Sequence, residues 1–252
     1  PLNISLDFFA IISSAKKLYH QTEGSWDGTV KPLVDLWGFG TKIKTNSVPT
    51  VDQITFALSK TGFNHIHIKK PHTVLKSKAI TLDLGSIAKG YGVDSIADIF
   101  ISSDIHNILV EIGGELKAFG KNKKGKYWSV GISKPDKLFA SQELYKVIRL
   151  NNRAIATSGN YRNFFEINKK TYSHIINPKT GFPVDNNIVS ASVISKDCTF
   201  ADGLATALMI MDVKKGLSLV NSLEHTECLI IQKKEHQFIS HASENFEDLV
   251  VK

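Results

Sequence analysis

Over residues 4 to 20 the apolar positions recur at helical spacing. The stretch "TVDQ", Thr50 to Gln53, is a capping box: a threonine hydroxyl placed to accept the third N–H, and a glutamine able to reach back. It predicts a second helix, closed at Gly62. Alternation then takes over. "HIHIK" (His65 to Lys69) and "AITLDL" (Ala79 to Leu84) predict strands, and a helix follows from about Ser86 to Ser102. Short strands are predicted at "ILVEIG", "ELKAFG", "YWSVGI", "LYKVIRL", "AIATSG", "FFEIN", "TYSHII" and "VSASVIS", separated by Gly, Asn and Lys turns. A last helical block runs from Thr199 to about Leu223, before the strands "ECLIIQ" and "QFISHA". Strand runs beside segregated helices predict an α+β fold with antiparallel or mixed sheets. No linker interrupts the pattern, so residues 1–252 read as one domain.

Composition agrees with a folded chain: 42% hydrophobic and 22% charged residues, with no repeat or low-complexity tract, argue against disorder. The net charge of +7 comes partly from "KNKKGK", Lys121 to Lys126. Without an aromatic platform or recognition helix this reads as a solvated hairpin turn and not a nucleic-acid contact, and the positive balance suits an anionic small molecule. Cys198 and Cys228 have no CxxC partner, which excludes a metal knuckle; two buried thiols are expected, with a disulfide as the alternative. "FFAII", Phe8 to Ile12, is too short to span a bilayer, and a chain opening at Pro1 without a signal peptide suits a fragment or mature form.

Candidate chemistry starts from "LDLGSIAKGYGVD", Leu82 to Asp94. Ser86-x-x-Lys89, with "SGN" (Ser158 to Asn160) and "KTG" (Lys179 to Gly181), resembles the penicillin-recognising serine enzymes. Only 20 residues separate Asn160 from Thr180, and Pro178 and Pro183 bracket the KTG in a turn where that chemistry needs an edge strand. The same glycines also read as a strand-Gly-helix turn whose free N–H groups favour an anion. In "ADGLATALMIM", Ala201 to Met211, Asp202 and Thr206 stack on one helix face and offer hard oxygen ligands to Mg²⁺; a Thr199-x-x-Asp202 cap is the alternative. Mg²⁺ takes six ligands, mostly water and phosphate, so the metal and phosphate signals complete each other.

Six blocks carry a family resemblance: "WDGTVKPLVDLWGFG" (Trp26 to Gly40), "LDLGSIAKGYGVD", "EIGGELKAFG" (Glu111 to Gly120), "ATSGNYRNFFE" (Ala156 to Glu166), "YSHIINPKTGFPV" (Tyr172 to Val184) and "ADGLATALMIM". In this order, from about Ser25 to Met211, the chain resembles the ApbE-type FAD:protein FMN transferases. The resemblance implies an enzyme that splits FAD, its substrate, joins FMN through a phosphoester to a threonine or serine hydroxyl, and releases AMP. The implied acceptor is a subunit of a membrane redox complex of Nqr or Rnf type, or another flavinylated protein. The implied location is the cell envelope, on the periplasmic face of the inner membrane as a lipoprotein.

By the same resemblance Asp202, Thr206 and the Ser86 carbonyl are Mg²⁺ ligands, which leaves the Ser86 hydroxyl dispensable. Flavin-nucleotide contacts fall on Ser25, Trp26, Asp27, Asp83, Lys89 and Ile176, with Gly113 and Gly114 allowing close approach and Ser158 and Tyr161 as pocket walls. His174 is the expected base and Lys89 the phosphate-neutralising cation. Trp37 is expected in the core. Ala205 stands where some relatives have a second carboxylate, Asn177 replaces an Asp, and Gly28 replaces a Pro. Relatives carry a further stretch before the first block, so the N-terminal part of the family's chain is expected to be missing, which bears on adenine affinity. An FAD pyrophosphatase, a serine acyl-enzyme using Ser86 and Lys89, and a non-catalytic flavin carrier are the other readings.

Overall fold

The computed structural model describes residues 1–40, 47–69, 72–135, 143–160, 164–167, 170–235 and 237–251. In chain order the strands are β1 (Leu2–Asn3), β2 (Ile66–Lys69), β3 (Thr73–Lys76), β4 (Ile108–Ile112), β5 (Glu115–Phe119), β6 (Trp128–Ser133), β7 (Leu144–Leu150), β8 (Arg153–Gly159), β9 (Phe164–Ile167), β10 (Lys170–Ser173), β11 (Ile188–Ser195), β12 (Glu227–Lys234) and β13 (Gln237–Ala242). The α-helices are α1 (Leu6–Gln21), α2 (Lys31–Leu36), α3 (Val51–Leu58), α4 (Gly85–Ser102), α5 (Cys198–Leu208) and α6 (Val213–Asn221). Strand pairs are antiparallel throughout the described residues, and the fold is α+β as the pattern predicts. Contacts divide the chain into two compact units, Pro1–Ser86 with Asn163–Asn186, and Ile87–Arg162 with Asn187–Lys252.

In the first unit, Ser5 caps α1 by accepting the Phe8 N–H at 3.1 Å, and Ile12, Ala15 and Leu18 form its buried stripe. The predicted capping box opens α3 with both of its bonds in place. The helix ends at Leu58, short of Gly62; that glycine, at φ +122°, opens a 3₁₀ turn at Phe63–His65. Leu33 and Trp37 on and after α2 meet Ile54 and Ala57 of α3 and Ile176. Burying each such Leu or Ile side chain contributes about 1.5–3 kcal/mol. The Trp37 indole donates to the Gly181 carbonyl at 2.7 Å, so Trp37 is core, as expected.

Residues 79–84 do not form the predicted strand. They join no sheet among the described residues; the Asp83 N–H donates instead to the Gly28 carbonyl at 2.7 Å. The strands that pattern reading passes over are β1 and β3; β3 pairs with both β1 and β2.

The second unit is built on a six-stranded sheet of order β13-β12-β11-β8-β5-β4. One face carries α4, through Val93 and Ala97 on Ile108, Val110 and Ala154. The other carries the β6–β7 pair, whose Val130, Ile132, Ile148 and Leu150 meet Ala118, Ile155, Ile194, Leu229 and Ile231. Ala154 and Ile155 are neighbours on β8 and serve opposite faces. With both faces covered, β11 is buried nearly throughout, its three serines, Ser190, Ser192 and Ser195, included.

The predicted Thr199–Leu223 block is two helices. Asp212 starts the second by accepting the Lys214 N–H at 3.0 Å. "KNKKGK" is a turn held by Asn122, but it closes no hairpin, because β5 joins β4 and β8 while β6 pairs with β7. Cys198 and Cys228 are buried free thiols.

Gly181 sits at φ +76°, where an added Cβ would lie 2.6 Å from the Ile54 Cγ2. Gly181→Ala is therefore expected to cost about 2–3 kcal/mol, from backbone strain and overpacking together. Urea denaturation reads this as a lower midpoint; an unchanged midpoint would show that the turn yields freely.

Candidate functional site

In the second unit α4 meets the start of α5 backbone to backbone. A Cβ on Gly90 would fall 2.4 Å from the Cys198 carbonyl oxygen, so only glycine permits the contact. The N-cap residue of α5, Asp197, makes no side-chain cap. Asp94 of α4 takes its place. Its Oδ1 accepts the Cys198 N–H at 3.0 Å; its Oδ2 accepts the Thr199 N–H at 2.8 Å and the Thr199 hydroxyl at 2.7 Å. A negative charge is thereby fixed at the positive end of the α5 dipole. Thr199 serves that cap and Asp202 does not, which removes the Thr199-x-x-Asp202 alternative.

Asp202, 4% exposed, accepts the Gly90 N–H through Oδ2 at 3.1 Å, and its Oδ1 makes no hydrogen bond among the described residues. Burial raises its pKa first of all; the Gly90 hydrogen bond and the Lys89 charge lower it and the Glu115 charge raises it, leaving the carboxyl pushed up to about 7. One turn on, the Thr206 hydroxyl lies 3.0 Å from the Ser158 Oγ of β8. The Lys89 ammonium pairs with Oε1 of the buried Glu115.

Gly113 and Gly114 form a two-residue hairpin turn at φ +62° and +104°, which joins Ile112 to its partner Glu115. A Cβ on Gly113 would stand 3.3 Å from the Lys89 Cδ, whereas one on Gly114 would meet nothing within 4 Å. Within this unit the fold thus gathers Lys89, Gly113, Asp202, Thr206 and Ser158 from four separate sequence blocks. Tyr161 lies outside the described residues.

The first-unit residues have different surroundings. Trp26 is 2% exposed and its indole N–H donates to the Ser86 Oγ at 2.9 Å. Asp27 is also buried. Its Oδ1 accepts the Thr29 N–H at 2.8 Å and the Thr29 hydroxyl at 2.5 Å, and its Oδ2 accepts the Phe63 N–H at 3.1 Å. Ser25 and Ile176 are buried. Asp83 accepts the Gly85 N–H at 3.1 Å, which takes one of the donors that the sequence leaves to an anion. His174 follows β10, half-buried, with the Phe39 ring edge-on at 6.3 Å between centroids.

These contacts disfavour the acyl-enzyme. The Ser86 hydroxyl accepts from Trp26, Lys89 is committed to Glu115, and KTG lies in the turn where Gly181 N–H donates to the Asn177 carbonyl.

Two residues escaped sequence reading, Glu115 and Asp94, although both stand inside quoted blocks. The available signal was alternation on β5. Leu116 and Ala118 pack toward the β6–β7 pair, so Glu115 and Lys117 face the helices. Each finds an α4 partner there, Lys117 reaching Asp94 at 2.8 Å. Burial alone would lower the Lys117 pKa, but the hydrogen bond and charge of Asp94, with Asp98 and Asp197, raise it overall. Cys198 is inert in this setting, because burial and then the Asp94, Asp202 and Glu115 charges push its thiol up.

Within the α+β fold, an acidic and hydroxyl pair on one helix thus stands on the same side of the sheet as a lysine held against a hairpin turn. The ApbE family model matches residues 1–230, and the chain belongs to the ApbE family. The match extends beyond the six blocks at both ends. The chain is similar to the FAD:protein FMN transferase of Vibrio cholerae, with 38% identity over 252 residues that cover all of this chain and 75% of the relative. It is similar also to that of Haemophilus influenzae, with 37% identity over 99% of this chain and 72% of the relative. Among solved structures, "Flavin Transferase ApbE from Vibrio cholerae" superposes with a TM-score of 0.87 at 38% identity, covering 99% of this chain and 78% of that one.

The donor set fits Mg²⁺. Asp202 and Thr206 are hard oxygens, and among the described residues Asp202 keeps one oxygen free of protein donors, while burial raises its pKa.

The raised Asp202 pKa sets a pH dependence. Between the unfolded value near 4 and the folded value near 7 the unfolded chain releases a proton that the native one keeps. The metal-free protein should therefore lose stability relative to Asp202→Asn as pH rises from 4 to 7, by on the order of a few kcal/mol, and then level off. Urea titrations of both proteins in EDTA at several pH values check this; parallel curves would contradict the raised pKa. Ser158→Ala, which removes the partner of the Thr206 hydroxyl, should weaken Mg²⁺ binding several-fold with little change in unfolding midpoint, read by calorimetric titration.

Proposed function

We infer that this protein is a Mg²⁺-dependent flavin transferase that takes FAD as substrate and leaves FMN on a threonine or serine hydroxyl of an acceptor protein, releasing AMP. The observation that carries this reading is the Asp202–Thr206 face and its neighbouring Lys89, in a chain 38% identical to an FAD:protein FMN transferase. The acceptor hydroxyl oxygen bonds to the FMN phosphorus, the bond from that phosphorus to the AMP oxygen breaks, and the hydroxyl proton passes to His174.

Asp202 and Thr206, with the Ser86 carbonyl assigned by sequence likeness, would hold Mg²⁺, which would supply charge neutralisation for the diphosphate. Lys89 adds a second positive charge. Ser25, Trp26, Asp27, Asp83 and Ile176 shape the flavin-nucleotide contacts. The acceptor is a subunit of a membrane redox complex, met at the periplasmic face of the inner membrane. No helix among the described residues is long and apolar enough to cross a membrane.

The test mixes the protein with FAD and Mg²⁺, with and without an acceptor carrying a flavinylation-type threonine, and follows AMP and acceptor mass. Acceptor mass increased by FMN, with equal AMP, is expected. AMP without acceptor modification would reassign the protein as an FAD pyrophosphatase, and intact FAD in both arms would overturn the reading. Asp202→Ala should lower turnover by at least about 100-fold, and unchanged turnover in that variant would remove the metal assignment.

A further inference from the structure

Glu115 is costly where it stands. It is 2% exposed, its Oε1 carries the Lys89 ammonium, and its Oε2 is buried with no hydrogen-bond partner among the described residues. The packing of β5 does not need a carboxylate there, since Leu116 and Ala118 fill the opposite face and an apolar residue would suit the helix-facing side. Lys89 keeps 46% of its side chain exposed although its tip is paired. The Gly113 turn lies along its stem, near enough that a Cβ there would stand 3.3 Å from Cδ and 3.6 Å from the Glu115 Oε2. Stem and tip are therefore both held, while one side of the chain stays open to a ligand. Free lysine side chains carry large rotamer freedom, and a group that must meet a diphosphate gains from being ordered in advance.

We propose that Glu115 is a positioning residue for flavin transfer: its buried carboxylate, set by the Gly113–Gly114 turn, holds the Lys89 ammonium in the place from which it meets the dinucleotide diphosphate. This rests on the flavin-transferase reading of Lys89. Glu115 touches neither substrate nor metal, and acts only through the lysine. The Gly113–Gly114 turn accordingly serves to aim a charged pair, and Gly113 is the glycine whose missing Cβ makes room for the Lys89 stem.

A double-mutant cycle tests this, with purified full chain, FAD, Mg²⁺ and an acceptor carrying a flavinylation-type threonine, and AMP release as the rate. Glu115→Gln should lower kcat by about tenfold while the KM for FAD changes little, because one negative charge near an anion is lost together with the ordering of the cation. In the Lys89→Met background the same substitution should have no further effect.

A second readout needs no turnover: acetylation of Lys89 by a soluble amine reagent, followed by mass spectrometry, should be several-fold faster in Glu115→Gln than in the parent. Equal losses from Glu115→Gln in both backgrounds, or none in the parent, would overturn the proposal, and so would unchanged Lys89 acetylation. Full activity in Lys89→Met would overturn it together with the assigned role of Lys89, whereas altered acetylation with normal kinetics would overturn the positioning role and leave the flavin reading intact. If Glu115→Gln does not fold, Glu115→Asp, which keeps the charge and shortens the reach, enters the same cycle.

Discussion

The second unit depends on one carboxylate. Asp94, on α4, receives both N–H groups at the start of α5 and the Thr199 hydroxyl, and it holds Lys117 of β5 as well. Helix, helix and strand are thus tied at a single point. The register of α5 follows from it, and with that register Asp202 and Thr206 face α4 and β8. The closeness required by the cap is possible because Gly90 has no side chain where the Cys198 carbonyl passes. The same closeness brings the Gly90 N–H within reach of the Asp202 carboxylate, so one glycine accounts for both the cap geometry and the placement of the candidate ligand.

Charge is distributed on the helix-facing side of β5 in an orderly way. Glu115 and Lys117, two residues apart, pair with Lys89 and Asp94 of α4 in opposite polarity. Lys117 and Asp94 satisfy each other and the α5 cap, an arrangement that ties three elements together. The Glu115 pair is unlike it, with one carboxylate oxygen left over and a lysine that remains half open to solvent. Buried polar groups of the first kind build folds. A group of the second kind costs stability.

Much of the secondary structure was legible because local rules decide it. The Thr50–Gln53 box and the run that becomes α4 depend on neighbours within a turn or two. The misreadings share a different cause. "AITLDL" has the composition of a strand but no partner among the described residues, and Asp83 spends its N–H on Gly28 instead. Thr73–Lys76 becomes a strand because β1 and β2 flank it, which no local pattern announces. In the candidate site, Asp202 and Thr206 were legible from their spacing on one helix, and the larger set from six blocks of familiar order. Glu115 and Asp94 were not, since their meaning lies in which residue stands opposite.

The order of residues was enough to determine the class of fold, the family, and the helix that offers two oxygens on one face, since periodicity and short motifs are properties of neighbours along the chain. Tertiary structure alone decided that the Ser86 hydroxyl is an acceptor for Trp26, that Asp27 is shared between Thr29 and the distant Phe63 N–H, and that Lys89 is held by a buried glutamate. The physical reason is that the energy of a hydrogen bond or an ion pair depends on what else is buried around it, and burial is settled only when distant segments pack together.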